Sequence, residues 1–252
     1  MKKLSVTIIA LDEAQRIAAT LRAVSPVADE IILVDAGSQD DTVTLAEAEG
    51  ATVIQNEFKG FGQQKRFAED QCQYDWILNI DADEVLSGQL VDEIADWKTR
   101  PNVASACYEI EILNIYPGDQ NPRPLARDYR VVRLYDRQRM RYRDHALFDR
   151  VEVPDGANVG RFKAPIHHHP FLSFEHMVMK ANRLTTIQAQ EAKRKSRVVL
   201  LIRLVIEYPL TLLKVYLLRL HFLGGWKGLA FSHVTAMSRL LRIIKMLERG
   251  DD

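Results

Sequence analysis

At 252 residues, 47% of them apolar, the chain is long enough to bury the core of one α/β domain with a smaller appendage. Lysine and arginine (34) balance aspartate and glutamate (34), and no nucleic-acid partner is expected of it. Cys72 and Cys107 are the only cysteines and follow no metal-binding spacing, which indicates a reducing compartment and no disulfide framework. Met1-Lys2-Lys3 runs straight into a strand, without the apolar core and small-residue cleavage site of a signal peptide.

Leu4 to Leu11 reads as the first strand. Asp12-Glu13 then opens an amphipathic helix, with Ala14, Ile17, Ala18 and Leu21 at helical spacing. Ile31 to Val34 is a second strand, stopped at Asp35-Ala36-Gly37-Ser38. The next helix carries Val43, Leu45 and Ala46, with Asp40 or Asp41 as its N-cap. Ala51 to Ile54 is a short third strand, Gly60 to Cys72 a glycine turn and helix, and Trp76 to Ile80 a fourth strand. This alternation predicts an α/β fold, a mostly parallel, Rossmann-like sheet flanked by helices. Acidic residues follow the C-terminal ends of strands one, two and four. Those ends share one edge of a parallel sheet, so they point to one site.

The fourth strand ends in Asp81-Ala82-Asp83-Glu84. Asp81 and Asp83 point the same way in an extended chain. Converging carboxylates repel unless a cation lies between them, and Mg²⁺ or Mn²⁺ shared with phosphate oxygens meets that need. The plainer reading is a solvated acidic turn. Further on, Arg130-Val131-Val132-Arg133-Leu134-Tyr135 alternates as a strand. A separation of three puts Arg130 and Arg133 on different faces, so at most one meets a phosphate. In Ala164-Pro165-Ile166-His167-His168-His169, His168 would point opposite to its two neighbours.

The last third is basic. From Lys180 onward there are 14 basic and 5 acidic residues, which suits phosphates or an anionic membrane surface. Val198 to Leu223 is rich in Leu, Ile and Val, but Arg203, Glu207, Lys214 and Arg219 interrupt it and Pro209 breaks or kinks it. No run reaches the length that spans a bilayer. Lys193-Arg194-Lys195-Ser196-Arg197 precedes this run, and Arg239, Arg242 and Lys245 recur at helical spacing. The pattern predicts C-terminal amphipathic helices lying in a membrane interface. A helical layer on the sheet, or a homodimer interface, is the alternative.

Three blocks together resemble the glycosyltransferase family 2 pattern with its GT-A nucleotide-sugar fold. They are Val6-Thr7-Ile8-Ile9-Ala10-Leu11-Asp12-Glu13, the stretch from Ile31 through Asp35-Ala36-Gly37-Ser38-Gln39-Asp40-Asp41 to Thr42, and Asp81-Ala82-Asp83-Glu84. Gly60-Phe61-Gly62-Gln63-Gln64-Lys65 and the later half resemble the lipopolysaccharide core glucosyl- or heptosyl-transferase subgroup. That resemblance implies an inverting transfer of a sugar, glucose in the first instance, from a UDP-sugar to a lipid-linked or inner-core acceptor. It also implies a peripheral place on the cytoplasmic face of the inner membrane. By the same resemblance residues 1–100 are the nucleotide-sugar-binding half, 101–180 the acceptor half and 181–252 a membrane-associating region.

Carried over residue by residue, the resemblance makes Asp12, Glu13, Asp35, Lys65 and Asp81 nucleotide contacts. Asp83 and His168 become ligands of Mg²⁺ or Mn²⁺, and Glu84 and Arg130 substrate contacts. Direct displacement needs a general base for the acceptor hydroxyl. Asp149 matches the glutamate of the subgroup's His-Glu pair, where this chain reads Phe148-Asp149, and Asp144 and Glu152 are its rivals. A nucleotidyltransferase would carry a glycine-rich phosphate loop where this chain reads Leu11-Asp12-Glu13-Ala14, and a dehydrogenase would carry Gly-x-Gly-x-x-Gly there. The other competing class is a non-catalytic, membrane-associated nucleotide or lipid binder on the same fold.

Overall fold

The computed structural model describes residues 1–101, 103–145, 149–193 and 195–249. The chain divides into two compact units, Met1–Leu113 with Asp128–His168, and Asn114–Arg127 with His169–Asp252.

The first unit begins with β1 (Leu4–Ala10), α1 (Ile17–Val24), β2 (Glu30–Asp35), α2 (Thr42–Ala48), β3 (Thr52–Gln55), α3 (Phe61–Asp70) and β4 (Trp76–Asp81). A helix links each of the first three strands to the next, and such crossovers let β1 pair in parallel with β2 and β4, and β2 with β3. There follow β5 (Glu84–Leu86), α4 (Gly88–Thr99), β6 (Cys107–Asn114), β7 (Tyr129–Asp136), β8 (Val159–Arg161) and β9 (Ile166–His168). The sheet order is β3-β2-β1-β4-β7-β6-β9-β5, with β8 beside β6. β7 runs antiparallel to both β4 and β6, and β5 antiparallel to β9. The α/β class and the parallel N-terminal half stand as expected, and antiparallel strands extend the sheet.

Alternation places the core on both faces. Leu4, Val6, Ile8, Leu78 and Ile80 pack with Leu21, Ile94 and Trp97 on one side. Ile32, Val34, Ile77, Tyr135 and Tyr142 pack with Ala68 on the other. Each fully buried aliphatic side chain contributes roughly 2 kcal/mol.

One boundary differs from expectation, since α1 starts at Ile17, not at Asp12. Asp12 sits at φ 55°, a left-handed conformation that aspartate tolerates. The N–H groups of Arg16 and Ile17 both donate to the Glu13 carbonyl, so a turn intervenes. Asp41 holds the N-cap position of α2 without a side-chain bond, while the neighbouring Asp40 carboxylate accepts from the Thr42 N–H at 3.0 Å.

The second unit holds α5 (Phe174–Glu191), α6 (Arg197–Leu213) and α7 (Gly225–Glu248), with a π-turn at Lys214–Leu218 and a 3₁₀ turn at His221–Gly224. α7 packs against α5 and α6. Pro209 does not break α6, which runs on to Leu213. Its missing N–H removes a single bond near the C-terminal end of the helix, and four residues follow it within α6. Tyr116 Oη lies 2.7 Å from His221 Nδ1, and the His221 ring stacks on Phe231 at 4.8 Å. A Cβ at position 228 would lie 1.8 Å from the His221 carbonyl oxygen, so only glycine fits there. No described helix is long and apolar enough to cross a membrane.

Candidate active site

Because β1, β2 and β4 are parallel neighbours, the segments that follow Ala10, Asp35 and Asp81 emerge at one sheet edge. The first two are stitched together. Asp12 Oδ1 accepts from the Gln39 N–H at 2.8 Å, and the Asp12 N–H donates to Ser38 Oγ at 2.9 Å. The Glu13 N–H donates to Thr42 Oγ1 at 2.7 Å. Asp35 is fully buried. Its Oδ2 accepts from the N–H groups of Gly37 and Ser38 at 2.9 Å each, and its Oδ1 from the Ser38 hydroxyl at 2.5 Å. This turn needs φ 100° at position 37, a glycine conformation. Asp12, Glu13 and Asp35 are thus brought together, with their carboxylates or backbone building the loop pair.

The end of β4 is a second, denser cluster. Asp81 Oδ1 lies 2.7 Å from Lys65 Nζ and Asp81 Oδ2 lies 2.6 Å from Arg133 Nη2. Lys65, only 1% exposed, also reaches Asp149 Oδ2 at 3.0 Å. Arg133, 5% exposed, donates to Glu84 Oε1 at 2.5 Å and to Asn79 Oδ1 at 3.0 Å. Tyr142 donates its hydroxyl to the same Asn79 oxygen at 2.8 Å, and its ring lies 5.2 Å from Lys65 Nζ. Asp83 stands apart from these cations. Its Oδ2 lies 3.3 Å from His168 Nε2 and 3.7 Å from Arg16 Nη1. His168 comes from β9, which aligns it with Glu84 of β5.

Burial and pairing compete at each of these groups. Burial alone would raise the Asp81 pKa, but Arg133 and Lys65 drive it far below the usual carboxylate range. Burial also opposes charge on Lys65 and Arg133, yet Asp81 leads the neighbours that hold both well above their ordinary values. Glu84, buried and beside Asp81, is raised even with Arg133 at hand. Asp83 is lowered and His168 raised, each against its burial, through their mutual hydrogen bond. Burial lowers His167, which alternates away from His168.

Beside this cluster opens a cleft of about 470 Å³ lined by Asp81, Tyr129, Arg130, Arg133, Tyr142 and Asp149, among others. Arg130 pairs with Glu111 Oε2 at 2.9 Å at its wall. Both arginines of β7 line this cleft, which strict alternation forbids. The register of β6 against β7 jumps from Tyr108↔Leu134 to Glu109↔Val132, so Arg133 is the extra residue of a β-bulge, a device that re-aims a side chain. Of the rivals to Asp149, Glu152 pairs with Arg143 at 3.5 Å on the exposed surface, and Asp144 is exposed. Phe148 lies outside the described residues. Sequence reasoning missed Asn79 and Tyr142 as members of the cluster. Of the two arginines of the Arg-x-x-Arg strand it preferred Arg130, whereas Arg133 is the one that pairs with Asp81.

Comparison with known proteins places the chain among the glycosyltransferases. It belongs to glycosyl transferase family 2, whose family model matches residues 5–167. An uncharacterised glycosyltransferase of Rickettsia prowazekii is 35% identical over 98% of this chain and 87% of its own length. The lipopolysaccharide core biosynthesis glycosyltransferase LpsC of Rhizobium meliloti is 29% identical over 93% of this chain and 87% of its own. Among solved structures, glucosyl-3-phosphoglycerate synthase of Mycobacterium tuberculosis, in complex with Mn²⁺, UDP and glucosyl-3-phosphoglycerate, is 24% identical over 46% of this chain and 45% of its own, with a TM-score of 0.36.

Proposed function

We propose that this glycosyltransferase is metal-dependent and inverting, and that it moves glucose from a UDP-sugar to a lipid-linked saccharide of the lipopolysaccharide inner core. It would work at the cytoplasmic face of the inner membrane. The observation that carries the reading is the division of labour between Asp81 and Asp83. Asp81 is neutralised by Lys65 and Arg133, while Asp83 faces His168 and, at a longer distance, Arg16. Similarity to LpsC supports the acceptor class.

Asp83 and His168 fit a hard divalent ion. A carboxylate and an imidazole held side by side are donor types that such an ion accepts, and Asp83 and His168 would hold it. No group of three or more such side chains gathers among the described residues. An ion held there supplies Lewis-acid neutralisation of the leaving diphosphate.

In this reading residues 1–100 hold the donor. Asp12 and Glu13 offer it a pre-built loop, and the buried Asp35 folds that loop. Lys65 and Asp81 form the floor of the nucleotide site. Residues 101–180 hold the acceptor, with Arg130 at the cleft wall, and Glu84 fixes the sugar side through Arg133. Asp149 takes the proton of the acceptor hydroxyl. The freed oxygen attacks the anomeric carbon from the face opposite the diphosphate. The bond from that carbon to the diphosphate oxygen breaks, UDP leaves with the electron pair, and the configuration inverts.

Thermal stabilisation by a panel of nucleotide sugars, with and without Mn²⁺, tests the donor half. UDP species should raise the midpoint only with the ion, and Asp83→Ala should abolish the rise. A rise by UDP-sugars that Asp83→Ala leaves intact would remove Asp83 as a ligand. For the acceptor half, Asp149→Asn should lower kcat by roughly 10²–10⁴-fold while donor stabilisation persists. Full turnover would end its claim as base.

A further inference from the structure

On α6 and the turns after it, the burial pattern runs opposite to that of a helix covering a soluble domain, whose polar residues face out. The inward row is anchored by Leu200 and Val215, both buried, and by Tyr208, whose Oη lies 2.6 Å from His233 Nδ1 of α7. The outward row is apolar throughout. Val198, Ile202, Val205 (74% exposed), Leu210, Leu213 and Leu218 (79%) stand in solvent, and Trp226 (68%) continues the row at the start of α7. Past Arg197 at its first position, the ionic residues within α6 are Arg203 and Glu207, which are half-buried and pair with each other at 2.8 Å. From Val198 to Leu218 the one exposed charge is Lys214.

The rim of this face is cationic. Lys193, Lys195 and Arg197 precede the apolar row and Arg219 follows it, all exposed. Residues 192–247 contain eleven basic side chains and a single acidic one, Glu207.

We infer that this face is a monotopic seat for an anionic phospholipid bilayer. α6 lies flat in the interface, its outward row among the acyl chains and the lysines and arginines at the headgroups. The row is the right shape for this use. Seventeen residues make a helix about 25 Å long, with its apolar side unbroken and its ion pair kept on the inner flank. Trp226 supplies the amphipathic ring that favours the headgroup level, and the stem of Lys214 lets its ammonium reach water. A second copy of the chain fits less well. A two-fold contact sets the same patch against itself, so rims with a large excess of basic over acidic groups would meet each other. The seat deepens the proposed use of a lipid-linked acceptor, and rests on that reading only for its purpose.

The test is co-sedimentation of the purified full-length chain with vesicles of phosphatidylcholine, with and without phosphatidylglycerol. The chain should bind the anionic vesicles, bind neutral ones more weakly, and release with added salt. Trp226 emission should shift to the blue on binding, a shift that Trp226→Phe removes. Ile202→Glu combined with Val205→Glu should lower vesicle affinity about tenfold or more with an unchanged melting midpoint, since both positions are exposed. Absence of binding to anionic vesicles, or equal binding by the double variant, would overturn the inference. So would a lipid-free dimer that the double variant splits into monomers. Vesicle binding needs no sugar transfer, so a chain that binds vesicles but no nucleotide would uphold the seat and count against the catalytic reading alone.

Discussion

The two units depart from ordinary burial in opposite directions. The sheet unit takes charge inside: Lys65, Glu69, Glu84 and Arg133 are all buried. The helical unit leaves apolar surface outside, along α6 and into α7. Buried charge and contiguous exposed apolar surface are the two departures that carry information about use. Their energetics differ. A buried ion is costly unless every partner is present, so the β4 end is a rigid, all-or-none arrangement. An exposed Leu or Val costs little by itself, so the α6 face is cheap to keep and simple to vary.

The sharpest way to break this comparison is to remove one cation from each unit. Arg133→Met leaves Asp81 and Glu84 without their shared partner and takes one of the two donors from the Asn79 oxygen. It should destabilise the protein by about 3–5 kcal/mol. Arg203→Met removes a half-buried i,i+4 partner of Glu207 and should cost less than about 1 kcal/mol. Denaturant midpoints of both variants check the contrast. Equal losses would mean that the β4 cluster is not the interlocked unit described here.

The same contrast explains what was legible from the chain. β1 to β4 and the acidic edge follow from local signals, because alternation, helix spacing and strand-end carboxylates are all read within a dozen residues. Asp83 was singled out by the local Asp-x-Asp pattern, whereas His168 was singled out by the family resemblance and not by its spacing. The start of α1 was missed because Asp12 is held in its left-handed turn by Ser38 and Gln39, which are distant in sequence. Arg133 was passed over in favour of Arg130 for a related reason. Strict alternation sends it away from Arg130, and the bulge that turns it toward Asp81 exists only in the pairing of β7 with β6. Tyr142 and Asn79 join the cluster through side-chain bonds that no spacing announces.

A middle-sized effect tests whether buried pairing in the sheet unit extends beyond the site. Asp29 accepts from Lys98 Nζ at 2.6 Å, Lys3 Nζ at 2.8 Å and the Leu4 N–H at 2.9 Å. Burial would raise its pKa, but these bonds lower it from 3.8 to about 2. A depressed folded-state pKa gives stability that is fully present above the unfolded value and lost as pH falls through the folded one. The full difference corresponds to about 2 kcal/mol, which solvent screening at this exposed residue reduces to about 1 kcal/mol. Asp29→Asn should therefore lose about that much at neutral pH, where it also removes the carboxylate beside the buried Lys98 and leaves it the Val27 carbonyl. The gap between variant and wild type should close as pH falls from 3.8 toward 2, measured by denaturant unfolding at each pH. A gap independent of pH would remove the ion pairs as its source.

The smallest effect asks whether the two units answer to lipid differently. Ser87 caps α4 in the sheet unit, its Oγ accepting from the Leu90 N–H at 3.3 Å. Ser196 caps α6 in the helical unit, its Oγ accepting from the Val199 N–H at 3.4 Å. Either change to alanine removes one N-cap bond and should cost about 1 kcal/mol of local stability, visible as faster amide exchange in the first turn of the affected helix. Anionic vesicles bind the folded α6 face and should stabilise it by mass action. Exchange in Ser196→Ala should then slow toward the wild-type rate on vesicle addition, whereas exchange at the start of α4 in Ser87→Ala should not respond. A common response, or none, would show that lipid does not single out α6, and the contrast between a unit that buries its charges and one that offers its apolar face would lose its functional meaning.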